Sequence, residues 1–144
     1  MEQVASLPRR LFAELLGTAL LVAAVVGSGI MAQRLSPDDT GLALLENAVA
    51  TGGALFVLIA TLGPISGAHF NPVVTAVDAW FGGIDRRDVL PYTVTQIVGA
   101  CLGTMLDRYL EAVVAHDPAK APLVVGFRQT ENALNVAQGN GVWK

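Results

Sequence analysis

Cysteine is nearly missing from this chain of 144 residues: Cys101 stands alone, which rules out an internal disulfide or a cysteine metal cluster. Histidine is almost as scarce. His69 and His116 have no nucleophile or metal-ligand spacing beside them, so no catalytic residue, metal or cofactor is expected. Charge is thin as well. Asp, Glu, Lys and Arg make up 15% of the residues, against roughly 25% in an ordinary soluble domain. The net charge of -3 and pI near 5.2 offer no basic patch for nucleic acid.

What fills the chain instead is apolar: 53% of residues are hydrophobic and the mean hydropathy is +0.53. Leu11 to Ala32 is apolar or small apart from Glu14, and Leu42 to Leu62 apart from Glu46 and Asn47. Each reaches the roughly 20 residues a membrane-spanning helix needs. Val89 to Leu106 is a third, shorter candidate carrying Tyr92, Thr93, Thr95 and Gln96. Leu11 to Ala32 is long for the core of a signal peptide and lacks a clear cleavage site. Arg9 and Arg10 precede the first span, and Arg86 and Arg87 precede the third. The positive-inside rule makes their side cytoplasmic, with the N-terminus, and puts Gln33 to Gly41 and the tail from Asp107 outside.

Between the second and third spans lies Gly63-Pro64-Ile65-Ser66-Gly67-Ala68-His69-Phe70-Asn71-Pro72-Val73-Val74-Thr75. Asn is a favoured N-cap and Pro a favoured first helical residue, so Asn71-Pro72 predicts a short helix running to Phe81. That helix is too short to cross a bilayer. Irregular backbone over Pro64 to Phe70 is tolerated at membrane depth only when buried in protein or lining a wet cavity, which predicts a re-entrant loop and half-helix. A half-helix directs roughly half a positive charge from its N-terminus toward the membrane centre. Cations are repelled there, and an Asn71 side chain that caps with its oxygen can donate from its nitrogen to a neutral solute.

These segments resemble the major intrinsic protein family, the aquaporins and aquaglyceroporins. Ser66 to Thr75 is similar to the family's first Asn-Pro-Ala box, with Val73 in place of alanine. Ala13-Glu14-Leu15-Leu16-Gly17-Thr18 resembles the first-helix signature, and Tyr92, Gln96, Gly99 and Ala100 the third-helix pattern. The wording of Gly63 to Phe70 is nearest to bacterial members associated with arsenic resistance. The resemblance covers residues 10 to 106 and implies an all-α membrane protein of three transmembrane helices and one re-entrant half-helix, one of two inverted repeats. The expected division is residues 1–10 as cytoplasmic N-terminus, 11–106 as the aquaporin-like half and 107–144 as a polar external tail.

The resemblance implies a passage lined by Asn71, Pro72, Val73, His69, Gly67 and Ala68. The residues alone leave open a His69 that merely braces the loop. Glu14 is expected to accept hydrogen bonds from loop backbone, with Gln96 in related work, and Glu46 to snorkel to the interface. Counting back from Asn71 reaches Thr51 at the family's outer constriction. A small hydroxyl there suits glycerol-like polyols or neutral metalloid hydroxides such as arsenous acid, while the branched Val73 narrows the centre slightly. Gly99-x-x-x-Gly103, Gly27-x-Gly29 and Gly52-Gly53 are expected to let helices approach closely, with Cys101 in the packed core.

No second Asn-Pro-Ala box follows residue 106, and Gly139 to Lys144 reads as truncation near the start of a fourth helix. The expected function is a passive channel for water and small neutral solutes, cut to half its usual unit and acting in the lipid bilayer with a second copy or a separate second half. The alternative is a non-conducting fragment or membrane interaction protein that packs through its glycine faces.

Overall fold

A computed structural model describes residues 5–123, 129–131 and 134–136. Four helices account for most of it: α1 (Leu7–Leu35), α2 (Thr40–Ser66), α3 (Pro72–Phe81) and α4 (Val89–Val114). Helices α1, α2 and α4 are long and apolar enough to cross a membrane, and α3 is a short apolar helix between the second and third. Through α4 the architecture is therefore the all-α one expected, three spans and a half-helix.

The chain divides into two units at Thr104. In the first, α1 and α2 pack together after a short turn in which Asp39 caps α2 by accepting from the Leu42 N–H at 3.0 Å. A small core of Ala79, Ile84 and Tyr92, flanked by Leu7, Leu11 and Val89, ties the end of α3 to the starts of α1 and α4. Arg10 pairs with Asp88 at 2.9 Å and donates to the Tyr92 hydroxyl at 2.8 Å. Those starts thus lie at one end of the unit. The turn between α3 and α4 is held by Asp85, which caps it through the Arg87 N–H at 3.1 Å. That backbone N–H, then the Arg87 side chain, hold the Asp85 carboxyl below its ordinary range.

The second unit begins inside α4. It holds the last turns of that helix, a short 3-10 turn at Pro118–Lys120 and an antiparallel pair, β1 (Gln129–Glu131) with β2 (Leu134–Val136). The expected polar tail thus starts helical: α4 continues to Val114 rather than stopping at Leu106. The closing segment Gly139 to Lys144 lies outside the described residues, as do Met1 to Val4.

Two other boundaries differ from expectation. Helix α1 starts at Leu7 rather than Leu11, and α2 runs through Pro64 to Ser66, so only Gly67 to Asn71 is irregular. A proline in the last turn removes one donor without ending the helix. Gly67 ends it, with φ of 90° and its N–H on the Gly63 carbonyl at 2.9 Å. This left-handed stop favours glycine, and the chain supplies one.

Glycine packing is real between α1 and α4. A Cβ at Gly99 would lie 2.5 Å from the Leu15 carbonyl oxygen, and one at Gly103 would overlap that of Ala19. Gly52 and Gly53 behave otherwise: a Cβ on either meets nothing within 4 Å, so no other helix among the described residues packs against them. Cys101 is exposed rather than in the core. Two residues along a helix rotate a side chain by about 200°, which turns Cys101 away from the face that Gly99 and Gly103 give to α1.

Candidate functional site

The site is built around a backbone that few side chains tolerate. Ala68 and Phe70 sit at φ of 53° and 49°, in the left-handed region. Such residues cost on the order of 1–3 kcal/mol each and persist only where surroundings hold them. Glu14 does so from α1. Its Oε1 accepts from the His69 N–H at 3.1 Å and the Ser66 hydroxyl at 2.6 Å, and its Oε2 from the Phe70 N–H at 2.7 Å and Gln96 Nε2 at 2.8 Å. Glu14 is fully buried, so these four donors replace water around its carboxylate. The Phe70 ring fills the space above Gly17, where a Cβ would overlap it.

From that clamp the chain enters α3. Asn71 is the N-cap, its Oδ1 accepting from the Val73 N–H at 2.8 Å, with Pro72 as first helical residue. Asn71 is exposed, which leaves its amide nitrogen available as a donor. Val73 is exposed too, while Pro72 and Ala68 are half-buried and Gly67 faces outward. The His69 ring is nearly buried, with Nδ1 3.1 Å from the Thr75 hydroxyl and Nε2 3.5 Å from the Asp78 carboxylate.

The structure brings Glu14, Gln96, Gly67, Ala68, His69, Asn71 and Pro72 together. Thr51 stands apart on α2. Its hydroxyl donates to Asn47 Oδ1 at 3.3 Å, which also accepts from Ser28 of α1 at 2.7 Å. Glu46 is half-buried and accepts from Ser36 at 3.0 Å, which braces the α1–α2 turn.

Several contributors lie inside the motifs without having been expected at the site. Thr75 is fully buried and receives Gln96 Nε2 at 3.0 Å, and the Tyr92 hydroxyl donates to the Ser66 carbonyl at 2.9 Å. Small hydroxyls are ordinary in any segment, so Thr75 and Ser66 stand out only through their partners. Asp78 did have a signal, as the one charge within Pro72–Phe81.

Three helices long and apolar enough to cross a membrane, with a half-helix capped by Asn71-Pro72 whose approach is clamped by a buried glutamate, define the class as a multi-pass membrane protein with a half-helix between its second and third spans. The chain belongs to the Major intrinsic protein family, which it matches over residues 1–142. It is 58% identical over 100 residues to aquaglyceroporin AqpS of Rhizobium meliloti (strain 1021), covering 69% of this chain and 42% of that protein. Aquaporin Z of Photorhabdus laumondii is 39% identical over 95 residues, with 65% of this chain and 40% of the relative covered. The probable aquaporin NIP7-1 of Arabidopsis thaliana is 38% identical over 114 residues, covering 79% of this chain and 40% of its own. The chain therefore spans well under half the length of these relatives. No solved structure matches it.

Proposed function

We propose that this chain supplies one half of a passive channel for small neutral solutes, namely water, glycerol-like polyols and metalloid hydroxides such as arsenous acid. The observation that carries the reading is the clamped approach to α3, where Glu14 fixes strained backbone so that Asn71 caps the half-helix and keeps its amide free. A field of that sign at a half-helix N-terminus disfavours cations and leaves neutral hydrogen-bonding solutes. A second half-helix, from a second copy of the chain or a separate second half, completes the passage. The likeness to an aquaglyceroporin supports polyol-sized solutes. Within the assembly Asn71, Pro72, Val73, His69, Gly67 and Ala68 line the route, with Thr51 at its outer constriction. The end bearing Arg10 faces the cytoplasm across a cell membrane, and the tail lies outside.

Stopped-flow swelling of vesicles carrying the purified chain tests this against empty vesicles, with water, glycerol and arsenite. Flux well above bare lipid that falls at least about tenfold on Asn71→Asp is the expected result, because a carboxylate removes the donor and brings a charge to the half-helix. Flux equal to bare lipid means that the chain alone does not conduct and favours the interaction role. Where flux is present, Thr51→Phe should reduce glycerol passage more than water passage, and equal losses would remove Thr51 from the constriction.

A further inference from the structure

Asp78 is the one charged residue on the half-helix, and the chain makes room both for it and for the ring it faces. A Cβ at Gly83 would overlap its carboxylate, and a Cβ at Gly67 would sit 3.1 Å from His69 Nε2, on the ring that Asp78 faces. The ring is further confined by Tyr92 of α4, whose centroid is 5.6 Å away. His69 also shares a cavity with Arg10, Gly67, Asp78, Asp85 and Asp88, while Glu14 holds its backbone N–H.

We propose that Asp78 is a positioning residue for His69: it holds the ring hydrogen on Nε2, and thereby sets which way the buried Thr75 hydroxyl points. The argument is one of hydrogen counting. A bare Nε2 facing a carboxylate oxygen at 3.5 Å would set two acceptors against each other, so Nε2 carries the hydrogen. In the neutral ring Nδ1 is then an acceptor. Thr75 has one hydroxyl hydrogen and two acceptors in reach, the Asn71 carbonyl at 3.1 Å and His69 Nδ1 at 3.1 Å. Gln96 Nε2 already donates to the Thr75 oxygen. The Thr75 hydrogen therefore goes to His69 Nδ1, and the Asn71 carbonyl keeps its partner in the Thr75 N–H at 3.0 Å. In this arrangement the Thr75 hydroxyl, His69 Nδ1 and the Asn71 carbonyl each have a partner, and Gln96 Oε1 is the buried atom of the group left without one. Asp78 thus acts on the half-helix cap through two side chains, without touching Asn71.

The effect on solute passage rests on the channel reading, but the hydrogen assignment does not. Nitrogen NMR of the full chain in lipid vesicles, labelled at the histidine ring and assigned with His116→Asn, reads which nitrogen is protonated at alkaline pH. The expected wild-type spectrum shows Nε2 protonated and Nδ1 bare, with the two resonances well separated. Asp78→Ala should draw them toward a common averaged position. Thr75→Val should shift the Nδ1 resonance while Nε2 stays protonated. A hydrogen on Nδ1 in the wild type overturns the assignment without any variant. So does an Asp78→Ala spectrum identical to wild type, or a Thr75→Val spectrum with Nδ1 unmoved.

Discussion

Glu14→Ala is expected to cost this chain about 3–5 kcal/mol, more than any other single side-chain truncation near the loop. The substitution removes the acceptor of two backbone N–H groups, those of His69 and Phe70, and of the Ser66 and Gln96 side chains. Each buried donor left without a partner costs about 1–3 kcal/mol, and water reaching part of the gap brings the sum down to the range given. The left-handed backbone at Ala68 and Phe70 is then held only by the Ala68 N–H on the Ser66 hydroxyl and by the Phe70 ring against Gly17. Glu14→Gln keeps the shape and one accepting oxygen but turns the other toward its donors as an amide, so about half the loss is expected. The measurement is unfolding in mixed micelles by denaturing detergent, with hydrogen exchange at the His69 and Phe70 amides. Both amides should exchange early in Glu14→Ala, while those in the middle of α2 stay protected. Wild-type protection at His69 and Phe70 would show that the clamp is not what orders the loop.

The second large effect is expected at the α1–α4 contact. Gly103→Val places a branched side chain where a single Cβ already overlaps the Ala19 carbonyl oxygen and lies 3.0 Å from the Val22 Cβ. The obstacle is backbone, which cannot rotate away, so α4 has to separate from α1. Overpacking of this kind typically costs about 1–3 kcal/mol, and the upper end is expected here. Gly99→Ala should be milder but still destabilising, since its Cβ would stand 2.5 Å from the Leu15 carbonyl oxygen. Gly52→Ala is the control. With nothing within 4 Å, it should gain about 0.5–1 kcal/mol of helix propensity. The same detergent unfolding reads all three. Equal stability in Gly103→Val and wild type would mean that the close approach is not required.

The half-helix was legible because its start is local: Asn71 and Pro72 are adjacent, each is favoured at the position it occupies, and apolar runs flank them. The spans were legible in their middles and not at their ends. Hydropathy marks the greasy part of a helix, whereas the hydrogen-bonded ladder runs on through Pro8, Arg9 and Arg10 at one end of the bundle and through Asp107 to Val114 in α4. Pro64 misled for a related reason. It weakens one bond in a helix that Gly67, three residues later, actually ends. At the site, Glu14 and Gln96 were visible as polar residues in apolar runs. Ser66, Thr75 and Tyr92 fell inside the motifs, but the Gln96–Thr75 and Tyr92–Ser66 bonds, across 21 and 26 residues, are pairings that no local pattern encodes.

The distances along the chain within the clamp also bear on the order in which the protein assembles. Glu14 meets Phe70 across 56 residues and Gln96 across 82. The side chains that meet the loop backbone, Glu14 and Tyr92, stand on α1 and α4, which their glycine contact lets come close. Closing so long a loop is an entropic cost that local contacts do not offset. The long closures predict that α1 and α4 associate before Gly67 to Asn71 docks, with the His69 and Phe70 amides unpaired until then. The loop is then the last part of this unit to order, and a substitution within it should change the rate at which the folded unit opens more than the rate at which it forms.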